Sequence, residues 1–208
     1  MASLRRHQIS IMILEAIVTT RNQDGTTNIA PMGPYCSDPS MGQFELRPFR
    51  TSQTWKNLKQ HPEGVLHITD DVMLFALAAI KSHCDVELTP TTSITGKYLS
   101  HCCRCYEFQA TGMDATQDRA AVQCRTVQTH RFRDFIGFNR AKHAVLEASI
   151  LATRVDFLPA EQISNQMTDL EKMVLKTGGK QERAAFRTLE LFLAEHGVDA
   201  CRKAASQP

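Results

Sequence analysis

No stretch of this sequence stays apolar long enough to cross a membrane. The longest such run, MLFALAAI from Met73 to Ile80, falls well short of the roughly 20 residues that a spanning helix needs. The start, MASLRRHQIS, has two arginines but no apolar core ahead of a small-residue cleavage site. The sequence therefore predicts no secretory leader and a cytoplasmic protein. Charge of one sign is also missing: a formal net charge of +2 gives no electrostatic case for nucleic acid. No glycine-rich dinucleotide fingerprint follows a strand, because the one Gly-Gly pair, Gly178 and Gly179, comes after a helical pattern and reads as its stop. Internal repeats and low-complexity tracts are absent. So is a Ser-His-Asp or Cys-His set that the order of residues alone would announce.

What is present divides into two textures. The first is strand-like. IMILEAIVTT (Ile11 to Thr20) is rich in β-branched residues, and Asn22, Asp24 and Gly25 supply a turn before TTNIAPMGPY resumes, which predicts a β-hairpin. FELRPF, EGVLHIT, CYEFQAT and AAVQCRTVQTHRF are further strand candidates. Two short helices, SQTWKNLKQ and DVMLFALAAIKS, lie between them, and Ser82 to His101 shows no period and reads as an irregular excursion. The second texture is helical. NRAKHAVLEASILATRV, PAEQISNQMTDLEKMVLKT and KQERAAFRTLELFLAEH are all helix-like, the last two with apolar spacings such as Ile163, Met167, Leu170, Val174 and Phe186, Leu189, Leu193. Pro159 suits a first helical turn, and Gly178 and Gly197 suit helix ends. The fold class expected is α+β, a small antiparallel barrel of about six strands by strand counting followed by helices. Residues 1–137 would form the barrel, and 138–208 a helical region packed on it or on a partner subunit. Ala141, Ala144, Ala148 and Ala152 lay a narrow stripe of small residues on the first of those helices and permit close helix approach, to the barrel or to a second subunit.

The stretch FRTSQTWKNLKQHP places Arg50, Thr51, Ser52 and Thr54 where a strand passes into a helix. Free backbone N–H groups and the helix dipole favour an anion there, and arginine adds a two-pronged donor that matches phosphate. The alternative is local: Ser52 or Thr51 caps the helix and Arg50 is solvated. Trp55, one turn in, packs on the barrel in either case.

Three segments, ILEAIVTTRNQDGTTNIAPMG, LRPFRTSQTWKNL and FNRAKHAVLEASILATR, together resemble an uncharacterised family of the FMN-binding split-barrel superfamily, related to the flavin reductases. The likeness runs from about Ile9 to Gly197. It implies a homodimer that holds FMN noncovalently, with the hydroxyl-rich turn Arg50, Thr51, Ser52 and Thr54 gripping the phosphate. NIAPMG matches the strand bordering the isoalloxazine ring, which puts Asn28, Ala30, Pro31 and Met32 beside the flavin. HITDD, with Thr69, takes the place of the strand end that closes the ring's polar edge. Each position also has a local reading. Asn28 can satisfy its amide in the hairpin, Pro31 can mark an edge strand, Met32 can be core, and Asp70 or Asp71 can cap the helix starting at Val72. The function implied is a flavin-dependent oxidoreductase acting on a small molecule, with NADH or NADPH as a transient reductant and no indispensable acid or base. The alternative is a flavin-binding carrier or sensor without turnover.

Two other clusters carry soft or basic groups. HCCRCYE, with His101, Cys102, Cys103 and Cys105, together with His83 and Cys84, could supply zinc ligands. Adjacent cysteines point to opposite faces of a strand and the cluster reads as having neither a C-x-x-C pair nor a matching second pair, so packing and loop thiols are expected and no metal. The seven cysteines are expected to be reduced. The basic run HRFRDF reads as solvated heads above a strand.

Overall fold

The computed structural model describes residues 11–198. The expectations on the leader, on Cys201 and on the last ten residues lie outside the described residues. The chain forms two compact units: one runs through Thr69 and resumes over Glu87–Arg133, and the other joins Asp70–Val86 to the chain from Asp134 onward. The second unit thus takes in a segment that the sequence reading had assigned to the barrel half.

The first unit holds β1 (Met12–Ile13), β2 (Ile17–Arg21), β3 (Thr27–Pro31), β4 (Tyr35–Cys36), β5 (Gln43–Leu46), α1 (Gln53–Gln60), β6 (Glu63–Ile68), β7 (Leu88–Pro90), β8 (Lys97–Leu99), β9 (Arg104–Asp114) and β10 (Ala121–Arg131). Eight strands build one antiparallel, curled split-barrel sheet in the order β1-β4-β5-β10-β9-β6-β2-β3, and β7 and β8 form a separate hairpin. The turn expected between β2 and β3 is made as its residues dictate. Gly25 takes φ +84°, and Asp24 Oδ1 accepts from the backbone N–H and hydroxyl of Thr26 at 2.9 and 2.6 Å. The run from Ile11 to Thr20 is not one strand: Met12–Ile13 leaves β2 to pair with Tyr35–Cys36 at the far edge of the sheet.

Alternation in β2, β6 and β9 gives the sheet two unlike faces. The inner face buries Ala16, Val18, Phe44, Leu46, Leu66, Tyr106, Phe108 and Val122, with Trp55 and Leu58 of α1 laid against it. Phe44 meets Phe108 edge-on with centroids 5.4 Å apart. On β6, which runs between β2 and β9, Gly64 has no room for a side chain: a Cβ there would lie 2.8 Å from Thr19 O and 2.9 Å from the Phe108 ring. The outer face is mixed, with Ile17, Val65 and Cys105 buried in the same rows as polar side chains. Thr19, His67 and Glu107 are buried on it, and each binds the excursion that the sequence left without structure. Thr19 Oγ1 donates to Lys97 O at 2.8 Å, His67 Nε2 accepts Leu99 N–H at 3.1 Å, and Glu107 accepts the Thr92 and Ser93 N–H groups at 2.9 and 2.7 Å.

The second unit holds α2 (Val72–Ala79), α3 (Arg140–Ala152), α4 (Ala160–Thr177) and α5 (Lys180–Glu195). Asp71 caps α2, accepting Leu74 N–H at 3.1 Å, and Asn139 caps α3 through the Ala141 and Lys142 N–H groups. Pro159 precedes the first turn of α4, Gly178 ends it, and Gly197 follows α5 with φ +80°. Ala141, Ala144, Ala148 and Ala152 are all buried in one cluster with Ile163, Met167, Phe186 and Leu189. The alanine stripe therefore serves the helical unit's own core, a destination that the two expected alternatives, barrel or second subunit, did not include.

Candidate functional site

The residues at the start of α1 come together as their local chemistry requires. Arg50 N–H donates to Asp118 O at 3.0 Å and Ser52 N–H to Phe49 O at 2.9 Å, which bends the chain into the helix. Ser52 Oγ then accepts Trp55 N–H at 3.2 Å, so the capping alternative for Ser52 is realised. Arg50 and Thr51 are exposed, and the Arg50 guanidinium has no hydrogen bond or ion pair among the described residues. The Gln53 and Thr54 N–H groups, inside the first turn, likewise meet no acceptor among the described residues. An exposed cation beside two unspent backbone donors is an arrangement that takes an anion.

Thr54 differs from what the hydroxyl count suggested. It is only 1% exposed and its Oγ1 accepts Asn28 Nδ2 at 3.1 Å, so what it can offer a ligand is its N–H. Asn28 donates its other amide hydrogen to Thr20 Oγ1 at 3.2 Å, across the hairpin. Strand β3 lies at the edge of the sheet, where Pro31, which lacks an N–H, is tolerated. Asn28, Ala30, Pro31 and Met32 are all half-buried, and Met32 also packs against the barrel core. Pro31, Ile17 and His67 stand in one row across β3, β2 and β6, so Thr69, two residues past His67, lies at the Pro31 end of the sheet. The candidate residues thus form two groups. One gathers Arg50 to Thr54 with Asn28, and the other gathers Pro31, Met32 and the buried Thr69. At about 3.3 Å per strand residue they stand roughly 10 Å apart along β3.

Sequence reasoning missed Asn57. It is buried on α1, with Nδ2 donating to Thr20 Oγ1 at 3.0 Å and to Asn22 Oδ1 at 2.8 Å while Oδ1 accepts Gln53 Nε2 at 2.7 Å. A lone asparagine mid-helix carries no signal by itself. Its partners lie in the hairpin, 35 and 37 residues away.

Two titratable groups of the outer face are shifted by their surroundings. Burial lowers the pKa of His67 to about 4, against a smaller opposing pull from its bond to Ile17 O at 3.1 Å. Burial alone would raise the Glu107 carboxyl, but bonds from Thr92, His130 and Ser93 outweigh it and hold the group below the usual carboxylate range. His130 Nε2 lies 2.8 Å from Glu107 Oε1, and its ring stacks on Tyr98 at 5.2 Å.

None of Cys36, Cys84, Cys102, Cys103, Cys105 and Cys124 is in a disulfide. Cys102 and Cys105 are spaced C-x-x-C, which the reading of the cluster passed over. Hydrogen bonding between them lowers the Cys102 thiol and raises that of Cys105. Among the described residues no group of three His, Cys, Asp or Glu is arranged to hold a metal ion.

An open-edged split barrel with an anion-ready turn at its first helix defines the class to which this chain is built. The chain belongs to the family described as Protein of unknown function (DUF447), whose N-terminal domain matches residues 14–133 and whose second part matches residues 139–190. Among solved structures, an FMN-bound protein of the same family from Methanosarcina mazei is 20% identical, with 88% of this chain and 96% of that one covered and a TM-score of 0.76. Flavoredoxin of Desulfovibrio vulgaris (Miyazaki F) is 12% identical over 63% of this chain and 77% of its own, with a TM-score of 0.49. The 2-nitrobenzoate 2-nitroreductase of Pseudomonas fluorescens is 19% identical over 57% and 64%, with a TM-score of 0.48. No curated protein matches the chain. No helix among the described residues is long and apolar enough to cross a membrane.

Proposed function

We propose that this protein binds FMN and is a flavin-dependent oxidoreductase acting on a small molecule. The observation that carries the reading is the exposed, unpaired Arg50 beside the unspent Gln53 and Thr54 N–H groups, a donor set that fits a phosphate monoester. A family member of the same fold that is FMN-bound supports it. Thr51, exposed on the same turn, adds a hydroxyl, while the Ser52 and Thr54 side chains hold the helix. Strand β3 is an edge, but Met32 N–H donates to Ala16 O at 2.8 Å and Pro31 has no N–H, so what Ala30 to Met32 can offer a flat heterocycle is the outward Pro31 carbonyl and apolar contact. Bound FMN supplies the hydride or electron transfer. The chain's residues bind it, orient it and border its ring.

The same reading makes the protein a cytoplasmic homodimer, with NADH or NADPH as passing reductant. Met12 and Ile13, exposed on edge strand β1, are apolar surface of the kind a second subunit covers.

The test compares FMN with riboflavin, which lacks the phosphate. Arg50→Ala removes a charge-assisted pair of bonds worth roughly 1.5 to 3 kcal/mol, so FMN affinity falls by about one to two orders of magnitude while riboflavin affinity stays level. Equal loss for both ligands, or no loss, removes Arg50 from the phosphate site. Anaerobic mixing of the flavin-loaded protein with NADH or NADPH then follows bleaching of the flavin absorbance. Bound flavin that neither nucleotide reduces leaves the carrier or sensor reading.

A further inference from the structure

The turn that presents Arg50 is only as well placed as the helix behind it. With eight residues, α1 is shorter than the roughly 12 to 15 at which even good helical sequences become marginally stable alone in water. Trp55 and Leu58 hold it against the sheet, but apolar contact is non-directional and does not by itself choose the helix's rotation or its slide along the strands.

Direction comes from a closed circuit of side chains. Asn57 on α1 donates to Thr20 Oγ1 on β2 at 3.0 Å. The same oxygen accepts Asn28 Nδ2 from β3 at 3.2 Å, and Asn28 donates its second hydrogen to Thr54 Oγ1 at 3.1 Å, back on the first turn of α1. Residues 54 and 57 are three apart and share a helix face, so one face is tied to two strands at two points. Asn57 uses its remaining hydrogen on Asn22 Oδ1 and its oxygen on Gln53 Nε2. Thr20, Thr54 and Asn57 are at most 3% exposed, so water cannot replace a broken link cheaply. A polar circuit is a costly way to attach a helix that two more leucines could attach. What it adds is geometry.

We propose that Asn57 and Thr20 are positioning residues for the anion-holding turn. They touch no ligand, but they set where the Gln53 and Thr54 N–H groups and Arg50 stand, and they link that turn to strand β3. This rests on the phosphate reading above.

The variants are Asn57→Leu and Thr20→Val, with Thr20→Ser as the conservative control that keeps the hydroxyl. FMN and riboflavin dissociation constants are measured for each and for the parent protein. The first two variants lose about tenfold in their preference for FMN over riboflavin, equivalent to about 1.4 kcal/mol, and Thr20→Ser keeps the parent's preference. A loss of helix packing alone would lower the melting temperature in both without moving that ratio. Should Asn57→Leu fail to fold, Thr20→Val against Thr20→Ser decides. In the apo-protein, inorganic phosphate should shift the Gln53 and Thr54 amide resonances of the parent and of Thr20→Ser more than those of Thr20→Val. A parent that does not prefer FMN sinks the phosphate assignment and this inference with it. A parent preference that survives intact in Thr20→Val sinks this inference alone.

Discussion

The two faces of the barrel sheet are built from the same strands and held by different forces. On the inner face Val18, Leu66 and Phe108 meet other apolar groups, and what holds them is area removed from water. One residue along each strand, Thr19, His67 and Glu107 bury polar atoms that each take a partner from the 88–99 hairpin, beside the Ile17 carbonyl that His67 also meets and the His130 ring that Glu107 also meets. A face tied by such bonds fails all at once, because each broken bond leaves a buried polar atom short of a partner. An apolar face fails by degrees, as cavities fill or collapse.

The comparison is broken most severely from the inside. Phe108→Ala empties the space against Phe44 and Gly64 and should cost about 3 to 5 kcal/mol in urea unfolding, lowering the stability of the barrel unit as a whole. A loss under about 1 kcal/mol would mean that the inner face collapses onto the gap.

Acid attacks the outer face. His67 has its folded pKa lowered from 6.5 to about 4, so the unfolded chain takes up a proton that the folded chain refuses. Its contribution is therefore fully present above pH 6.5 and is lost as pH falls toward 4, amounting to about 3 kcal/mol at most. Protonation would also turn Nε2 from acceptor to donor against the Leu99 N–H. Stability measured from pH 7.5 to 4 should drop over this window in the parent protein, and less steeply in His67→Gln. An identical slope in both would assign the pH dependence elsewhere.

Glu107→Gln sharpens the contrast. It keeps the size but replaces one accepting oxygen by an NH2 group, which leaves either Ser93 N–H or the Thr92 and His130 donors without an acceptor, at a cost of about 1 to 3 kcal/mol. Amide exchange should quicken at residues 92–99 before it quickens in β2 or β9. Uniform acceleration would make the hairpin part of one cooperative unit with the sheet. The smallest effect is at the cap: Ser52→Ala should destabilise the apo-protein by about 1 kcal/mol and leave the ratio of FMN to riboflavin affinity unchanged.

Much of this was legible in the residues themselves. The β2–β3 hairpin followed from Asn22, Asp24 and Gly25, the start of α1 from Ser52, and α4 and α5 from their apolar spacing, because each of these signals acts over a few residues. Asp71 as a cap is of the same kind. Less legible was the excursion from Ser82 to His101. Its two three-residue strands have too little pattern to declare themselves, and what orders them lies on β2, β6 and β9.

By itself the sequence determined the element types, the split-barrel class, the family likeness, and Arg50 as the cation of the turn. The element types and Arg50 rest on local propensity, on period and on residues adjacent in the chain, and the split-barrel class rests on the family likeness. Only the tertiary structure decided which hydroxyls are free for a ligand and which are spent. Ser52 and Thr54 look equivalent to Thr51 in the chain, yet one caps α1 and the other is sealed against Asn28, while Thr51 faces solvent. It also decided that the alanine stripe of α3 meets α4 and α5, and that Asn57 reaches a hairpin more than thirty residues away. The physical reason is common to all three. Hydrogen bonds and close packing are satisfied by whichever partner arrives in space, and the partner's place in the chain leaves no mark on the residues beside it.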